Sequence, residues 1–294
     1  MPHWDREEPQ FFDIFDLPWR EVPEIEIARG VEGRLISKNQ KTRAATAMLQ
    51  LPGSWQATDS GRDTTLEIFV LDGDLTVNGT TVGAGGYAAI PRGRGGAKLS
   101  SHGGANVYVF SDPNLPNDYY YPGQEVHVTR VWQEPWVSTD MPEVRHGIMH
   151  KSLRSPDPAS GLFHGGPGGM LRFILMTPGF GEPRQEIHHD CWEGIIWLSG
   201  DFLMPGRGLH RAGSVLNNPS GLAHGGLTTQ KGTIMILQCD APMGAEFVPR
   251  PHGQEMVENY LDTASWLAPD EHRDWAHCTE FHAGASSHQP EPVR

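Results

Sequence analysis

The chain repeats itself, and this duplication constrains its fold more than any other feature. Pro52-Gly53 returns as Pro178-Gly179, 126 residues on, and Gly73-Asp74 returns as Gly200-Asp201, 127 residues on. Gly86 answers to Gly213, and Pro91, Gly93 and Gly96 answer to Pro219, Gly221 and His224 at a spacing of 128. Two one-residue slips over that distance fit a diverged duplication. Each copy reads as short strands. Residues 66–71 and 195–198 are apolar runs of strand length, each followed by a Gly-Asp turn signal, and residues 107–110 and 233–237 close the units as buried strands. The 35 Gly and 24 Pro are dispersed between such runs, as many-turned β-proteins require. Two copies of one all-β unit are therefore expected, and 294 residues is a length that accommodates two domains.

The first unit is expected over residues 1–112 and a linker with connecting strands over 113–160, opening on Asp112-Pro113-Asn114-Leu115-Pro116-Asn117-Asp118. The second unit is expected over 161–250, and an extension over 251–294. In that extension Met256, Val257, Tyr260 and Leu261 share one face of a short helix predicted near residues 254–267. The polar segment 286–294 is expected to be disordered.

With 23 Lys and Arg against 36 Asp and Glu, the net charge is −13, and no basic stripe marks a nucleic-acid binder. No run of 18 apolar residues exists to span a membrane, and residues 1–8 are acidic without an apolar core, so no signal peptide is expected. Cys191, Cys239 and Cys278 are odd in number and widely spaced, which suits neither a disulfide framework nor a cysteine-based zinc site. A reducing, cytoplasmic setting is expected.

Two spaced motifs stand out in the second copy. The first is Gly181, five residues, Ile187, one residue, His189, three residues, Glu193, six residues, Gly200; the second is Gly213, five residues, Pro219, one residue, Gly221, two residues, His224. They resemble the two defining motifs of the cupin superfamily, in which a His-x-His pair and a Glu lie in the first and one His in the second. The departure is Ile187, which stands where the first His of the pair belongs. The resemblance covers both halves, more strongly the second. It implies two tandem double-stranded β-helix (jelly-roll) barrels, a bicupin, with a short helical C-terminal extension.

Because alternate strand residues point to one side, only one of His188 and His189 can face a barrel interior. The register of Gly181, Glu193 and Gly200 selects His189, which gives a metal set of His189, Glu193 and His224. If four residues precede Glu193 instead, the pair becomes Glu186 and His188, and His188, Glu193 and His224 bind the metal with Glu186 beside them. Either set resembles the two-His, one-carboxylate triad of non-haem Fe(II) oxygenases; Mn, Ni, Co or Zn would accept the same donors.

The first copy has Asp63 or Arg62 in place of the His, Gly96 in place of the second-motif His, and keeps Glu67. Its barrel is expected to have lost the metal and to serve domain packing or dimerisation. Trp197 shares strand parity with Glu193 and is a candidate pocket wall, while Arg172 is a candidate anchor for an anionic substrate. His146, His150 and His164 read as surface or rim residues. The glycine runs near residues 83–86 and 93–96 lack the Lys-Ser/Thr of a phosphate loop and read as turns.

Within cupins the motifs look most like those of anti-sigma-factor-type barrels and of acetylacetone- and dihydroxyacetophenone-cleaving dioxygenases. The resemblance implies a small-molecule substrate and fits an Fe(II) dioxygenase acting on a diketone or phenolic ketone, with Glu193, Trp197 and Arg172 at its active site. A non-redox isomerase, lyase or hydrolase, and a sensory or binding cupin, stand as alternatives, since fold alone does not decide chemistry.

Overall fold

In a computed structural model of the chain the described residues are 6–59, 63–94, 96–115, 125–138, 147–154, 168–205 and 207–263. Arg62, His146, His164, Cys278, the linker at 116–118 and the segment 286–294 lie outside them.

The molecule is all-β, apart from three short 3₁₀ turns and one α-helix, Gly253–Thr263, among the described residues. The helix lies where its apolar face predicts it, and it packs on Gly181–Ile187 and His224–Thr228. Each copy of the repeat forms a large and a small antiparallel sheet. In the first, the large sheet runs Gly86–Ile90, Thr65–Gly73, Ala105–Asp112, Ala45–Leu51, Glu32–Lys38. In the second it runs Ser214–Asn218, Glu193–Gly200, Thr233–Cys239, Met170–Met176, Ile148–Arg154, the same order strand for strand. The small sheets are Trp55–Asp59, Ala97–Ser101, Leu75–Val77, Thr80–Val82 and Gly208–His210, Phe202–Met204, His224–Thr228, Gly181–Ile187, Glu246–Val248.

The duplicated turn signals have duplicated jobs. Gly73 and Gly200 sit at φ +81° and +84°, and a Cβ at either would lie 2.0 Å from the carbonyl oxygen of Gly104 or Gly232, so both positions demand glycine. The following aspartates each accept two backbone N–H groups from the facing turn: Asp74 from His102 and Gly103, Asp201 from Gln230 and Lys231.

The large sheets do not respect the boundaries expected from sequence. Gln10–Asp13, in the first copy, pairs with Ser214–Asn218 of the second; His127–Arg130, within the segment expected to hold the linker and connecting strands, pairs with Gly86–Ile90 of the first. Ile148–Arg154, in the same expected segment of connecting strands, is an integral strand of the second large sheet. The exchanged strands are four residues long and have their partners in the other copy, so nothing local marks them.

Strand alternation sorts the side chains into three cores. One fills the first barrel, with Leu66, Ile68, Val70 and Val107 among its members; one fills the second, with Ile174, Ile195, Trp197, Leu216 and Met235. The third lies between the large sheets, where Phe69, Tyr108 and Phe110 meet Leu171, Phe173, Ile196 and Ile236. Glu67 belongs to this interface and not to the first barrel's interior, contrary to its reading as the retained carboxylate of the first motif. It shares parity with Phe69, accepts from the Tyr87 hydroxyl and pairs with Arg154 of the other copy at 3.2 Å. Burial outweighs Arg154 and pushes the Glu67 carboxyl above its usual pKa, so the pair fixes how the sheets meet more than it stabilises them.

Candidate metal centre

Four donors converge inside the second barrel: Glu186, His188, Glu193 and His224 each bring one ligand atom within 4.8 Å of the others. Three elements deliver them. Glu186 and His224 are directly opposed on the paired strands Gly181–Ile187 and His224–Thr228. Glu193 opens the returning strand, with Asn218 on one side and Cys239 on the other. His188 follows the end of the first strand, where the Gly221 N–H donates to its carbonyl at 2.8 Å and the Ser220 hydroxyl donates to the carbonyl of His189. The Pro219-Ser220-Gly221 turn of the second motif thus clamps the ligand loop of the first.

Both imidazoles are oriented from behind. His188 Nδ1 lies 2.7 Å from the Gly244 carbonyl and His224 Nδ1 lies 3.0 Å from the Leu222 carbonyl. Each Nδ1 therefore carries the proton, and each Nε2 faces the centre as a metal-ligating imidazole must. There His224 Nε2 is 2.9 Å from Glu193 and 3.4 Å from Glu186, while His188 Nε2 is 3.8 Å and 3.9 Å from the same two carboxylates. Asn218 Nδ2 donates to Glu193 at 2.9 Å. Burial alone would raise the Glu193 pKa, but His224, His188 and Asn218 outweigh it and hold the carboxyl well below its usual range. Burial likewise opposes a charge on His224, yet Glu193 and Glu186 lift its pKa well above the ordinary value. A buried, ionised carboxylate facing two Nε2 atoms, each set by an Nδ1–H held to a carbonyl, is a donor set that fits a divalent transition metal, which would take the place of the proton on His224 Nε2.

His189, selected by counting from Gly181, is not in this group. Its side chain is 58% exposed and its Nε2 is 2.7 Å from Glu246. The count fails because the strand pairing slips by one residue between Glu182 and Gln185, around Pro183, so parity does not carry from the glycine to the histidines.

Trp197 does face the barrel interior, but about 13 Å along the strand from Glu193, four residues at the usual rise, where it stacks on His210 at 4.3 Å and meets Phe202 at 5.3 Å. It is core there and no wall of the centre. Arg172 is fully buried with its face turned inward, opposite Leu237, one row deeper than Glu193. His150, expected at the surface or a pocket rim, is also fully buried, opposite Ile174 on the inner face of the same sheet. The sequence signal for both was parity with inward apolar residues: Met170 and Ile174 for Arg172, Ile148 for His150.

No family model matches the chain, and no curated protein matches it. Solved structures do. A provisionally assigned dioxygenase from Nostoc punctiforme aligns at TM-score 0.64 and 19% identity over 83% of this chain and 88% of its own. The E. coli protein Ylba, of family DUF861, aligns at 0.55 and 12% over 82% and 94%. Bacillus subtilis oxalate decarboxylase aligns at 0.52 and 13% over 89% and 85%. Among the described residues no helix is long and apolar enough to cross a membrane. With the same strand order in both halves and donors gathered in the second, the chain has the fold of a two-barrel cupin.

Proposed function

We propose that the C-terminal barrel holds one divalent transition metal through His188, Glu193 and His224, with Glu186 alongside, and that the protein is an Fe(II)-dependent dioxygenase of a small oxygen-rich substrate, a diketone or a phenolic ketone. The observation that carries this reading is the pair of backbone carbonyls that turn both Nε2 atoms onto Glu193. The N. punctiforme neighbour's provisional assignment agrees with it. Bound iron supplies a Lewis acid and a one-electron couple.

The residues of the chain do the rest. Asn218 keeps Glu193 ionised and aimed. Glu186, the most exposed of the four, would accept the proton of an enol or phenol bound beside it. Arg172, inside the barrel one row below, offers positive charge to the resulting oxyanion. The apolar rows of Ile195, Leu216 and Leu237 exclude water.

A second reading is a non-redox lyase or isomerase. The second carboxylate favours it, since oxygen donors suit Mn as well as iron, and the B. subtilis oxalate decarboxylase has Mn(II) centres. Metal analysis of untagged protein, with oxygen uptake on candidate diketones and phenolic ketones, separates the two. Iron near one per chain and substrate-dependent oxygen uptake support the dioxygenase; turnover at the same rate without oxygen refutes it.

A further inference from the structure

One buried cation, Arg6, stands outside the donor set yet bears on the loop that carries it. It lies just ahead of the first strand and is 2% exposed. Its Nε donates to Ser37 Oγ at 3.3 Å and its Nη2 to Thr46 Oγ1 at 3.2 Å, both in the first copy, and its backbone N–H donates to the Lys38 carbonyl. Those contacts alone would pin the N-terminal segment. The guanidinium also lies over the Trp192 ring of the second copy, 4.0 Å from its centroid. Burial lowers the Arg6 pKa from 12.5 to about 10, against the pull of Asp112 and Asp240, so the group is charged at neutral pH. A desolvated cation over an indole is the strong form of that contact.

Trp192 precedes Glu193 and ends the loop that starts at His188. Its indole covers Gly194 so closely that a Cβ there would lie 2.4 Å from Trp192 Cη2. The Trp192 N–H donates to Asp240 Oδ1 at 2.9 Å. Thr46 Oγ1, the acceptor of Arg6, donates in turn to Gln238 Oε1 at 3.1 Å, and Gln238 stands directly opposite Gly194. Glu193 is therefore flanked by backbone whose outer side is fastened, through Arg6, to the first copy. We propose that Arg6 is a positioning residue for the metal centre: by stacking on Trp192 it holds the 188–193 loop, and with it the placing of Glu193 against His188. This role rests on the metal-binding part of the proposed function and not on the choice of reaction.

The test compares Arg6→Ala with the unaltered chain and with Gly73→Ala, a destabilising change in a first-barrel turn packed on Gly104 and Ala105. In metal-free Arg6→Ala, amide exchange across residues 189–194 should quicken about 10-fold, the order that a buried cation–π contact supports. Titration with Co(II), whose visible absorption reports the arrangement of its ligands, should give one ion per unaltered chain. Arg6→Ala should bind it about 10-fold more weakly, as the loss of an outer support does, with altered visible bands. Gly73→Ala should keep the affinity and the bands of the unaltered chain. If Arg6→Ala does not fold, Gly194→Ala, which displaces the ring instead of the cation, decides by the same readouts. Unchanged exchange and bands in Arg6→Ala, or the same losses in Gly73→Ala, overturn the positioning role while leaving the metal centre standing. No Co(II) binding by the unaltered chain refutes the metal centre itself, and the role of Arg6 with it.

Discussion

His210 should make this protein acid-labile in a way one substitution can remove. The residue is fully buried, with Trp197 and Phe11 rings at 4.3 Å and Phe202 at 6.1 Å, and neither ring nitrogen has a hydrogen-bond partner among the described residues. Burial, with help from the Arg207 charge, lowers its pKa from 6.5 to about 3. The folded protein therefore keeps His210 neutral at pH values where the unfolded chain has protonated it. Stability is lost as pH falls below 6.5, and the loss is complete near pH 3. Each unit is worth about 1.4 kcal/mol, so about 2 kcal/mol is lost by pH 5 and at most about 5 kcal/mol in all. His210→Phe keeps an aromatic ring in the slot and removes two buried, unsatisfied nitrogens, so it should be neutral or stabilising at pH 7. Urea unfolding of both proteins at pH 7 and pH 5 measures the effect, because other titrating groups cancel between them. The variant's advantage should grow by about 2 kcal/mol between the two pH values. An advantage that stays constant would show that His210 is protonated in the folded protein, and the reasoning from burial would fail.

Three further outcomes are expected. By isothermal titration with Fe(II) or Mn(II), His188→Ala should lose on the order of 100-fold in affinity or more, whereas His189→Ala, whose contact is an exposed pair with Glu246, should change it little. Asn218→Ala, which leaves all four donors in place but frees Glu193, should cost about 10- to 100-fold in the same assay. Gly73→Ala and Gly200→Ala should each destabilise by about 3 kcal/mol or more in denaturant unfolding, since each combines a left-handed backbone with a Cβ 2.0 Å from a carbonyl oxygen; a cost near zero in either barrel would contradict the equivalence of the two turns.

What could be read from the sequence was what backbone geometry forbids to vary. Gly73 and Gly200 admit no side chain, and Asp74 and Asp201 each hold two N–H groups of the facing turn, so the duplication stayed visible through heavy divergence. Glu193 and His224 were legible for a related reason: both lie at strand starts next to motif turns. The third donor was legible only as a choice between His189 and His188, because the slip around Pro183 breaks the parity on which counting depends, and it is His188 that joins the group. Glu67 was misread because a carboxylate beside an apolar run gives no hint of which face of the strand is the interior; Arg154, 87 residues away, decides that. The exchanged strands were illegible because pairing between distant segments leaves no local pattern.

Those exchanged strands say what kind of object this chain is. A single repeat with the same topology would lend its first strand to a second copy and borrow one in return, giving a symmetric dimer with intertwined subunits. The present chain has the arrangement of such a dimer in one polypeptide: Gln10–Asp13 and His127–Arg130 are the exchanged strands, and the packed faces of the two large sheets take the place of a subunit interface. Fusion frees the halves from having to be identical. In a true homodimer, a mutation that removes a metal donor strikes both subunits at once. Here one half can give up its interior to apolar packing and remain a scaffold, while the other keeps the donors. Neither half can be cut away without stripping a strand from the other, so the barrel with no such donor set among its described residues is a structural part of the barrel that has one.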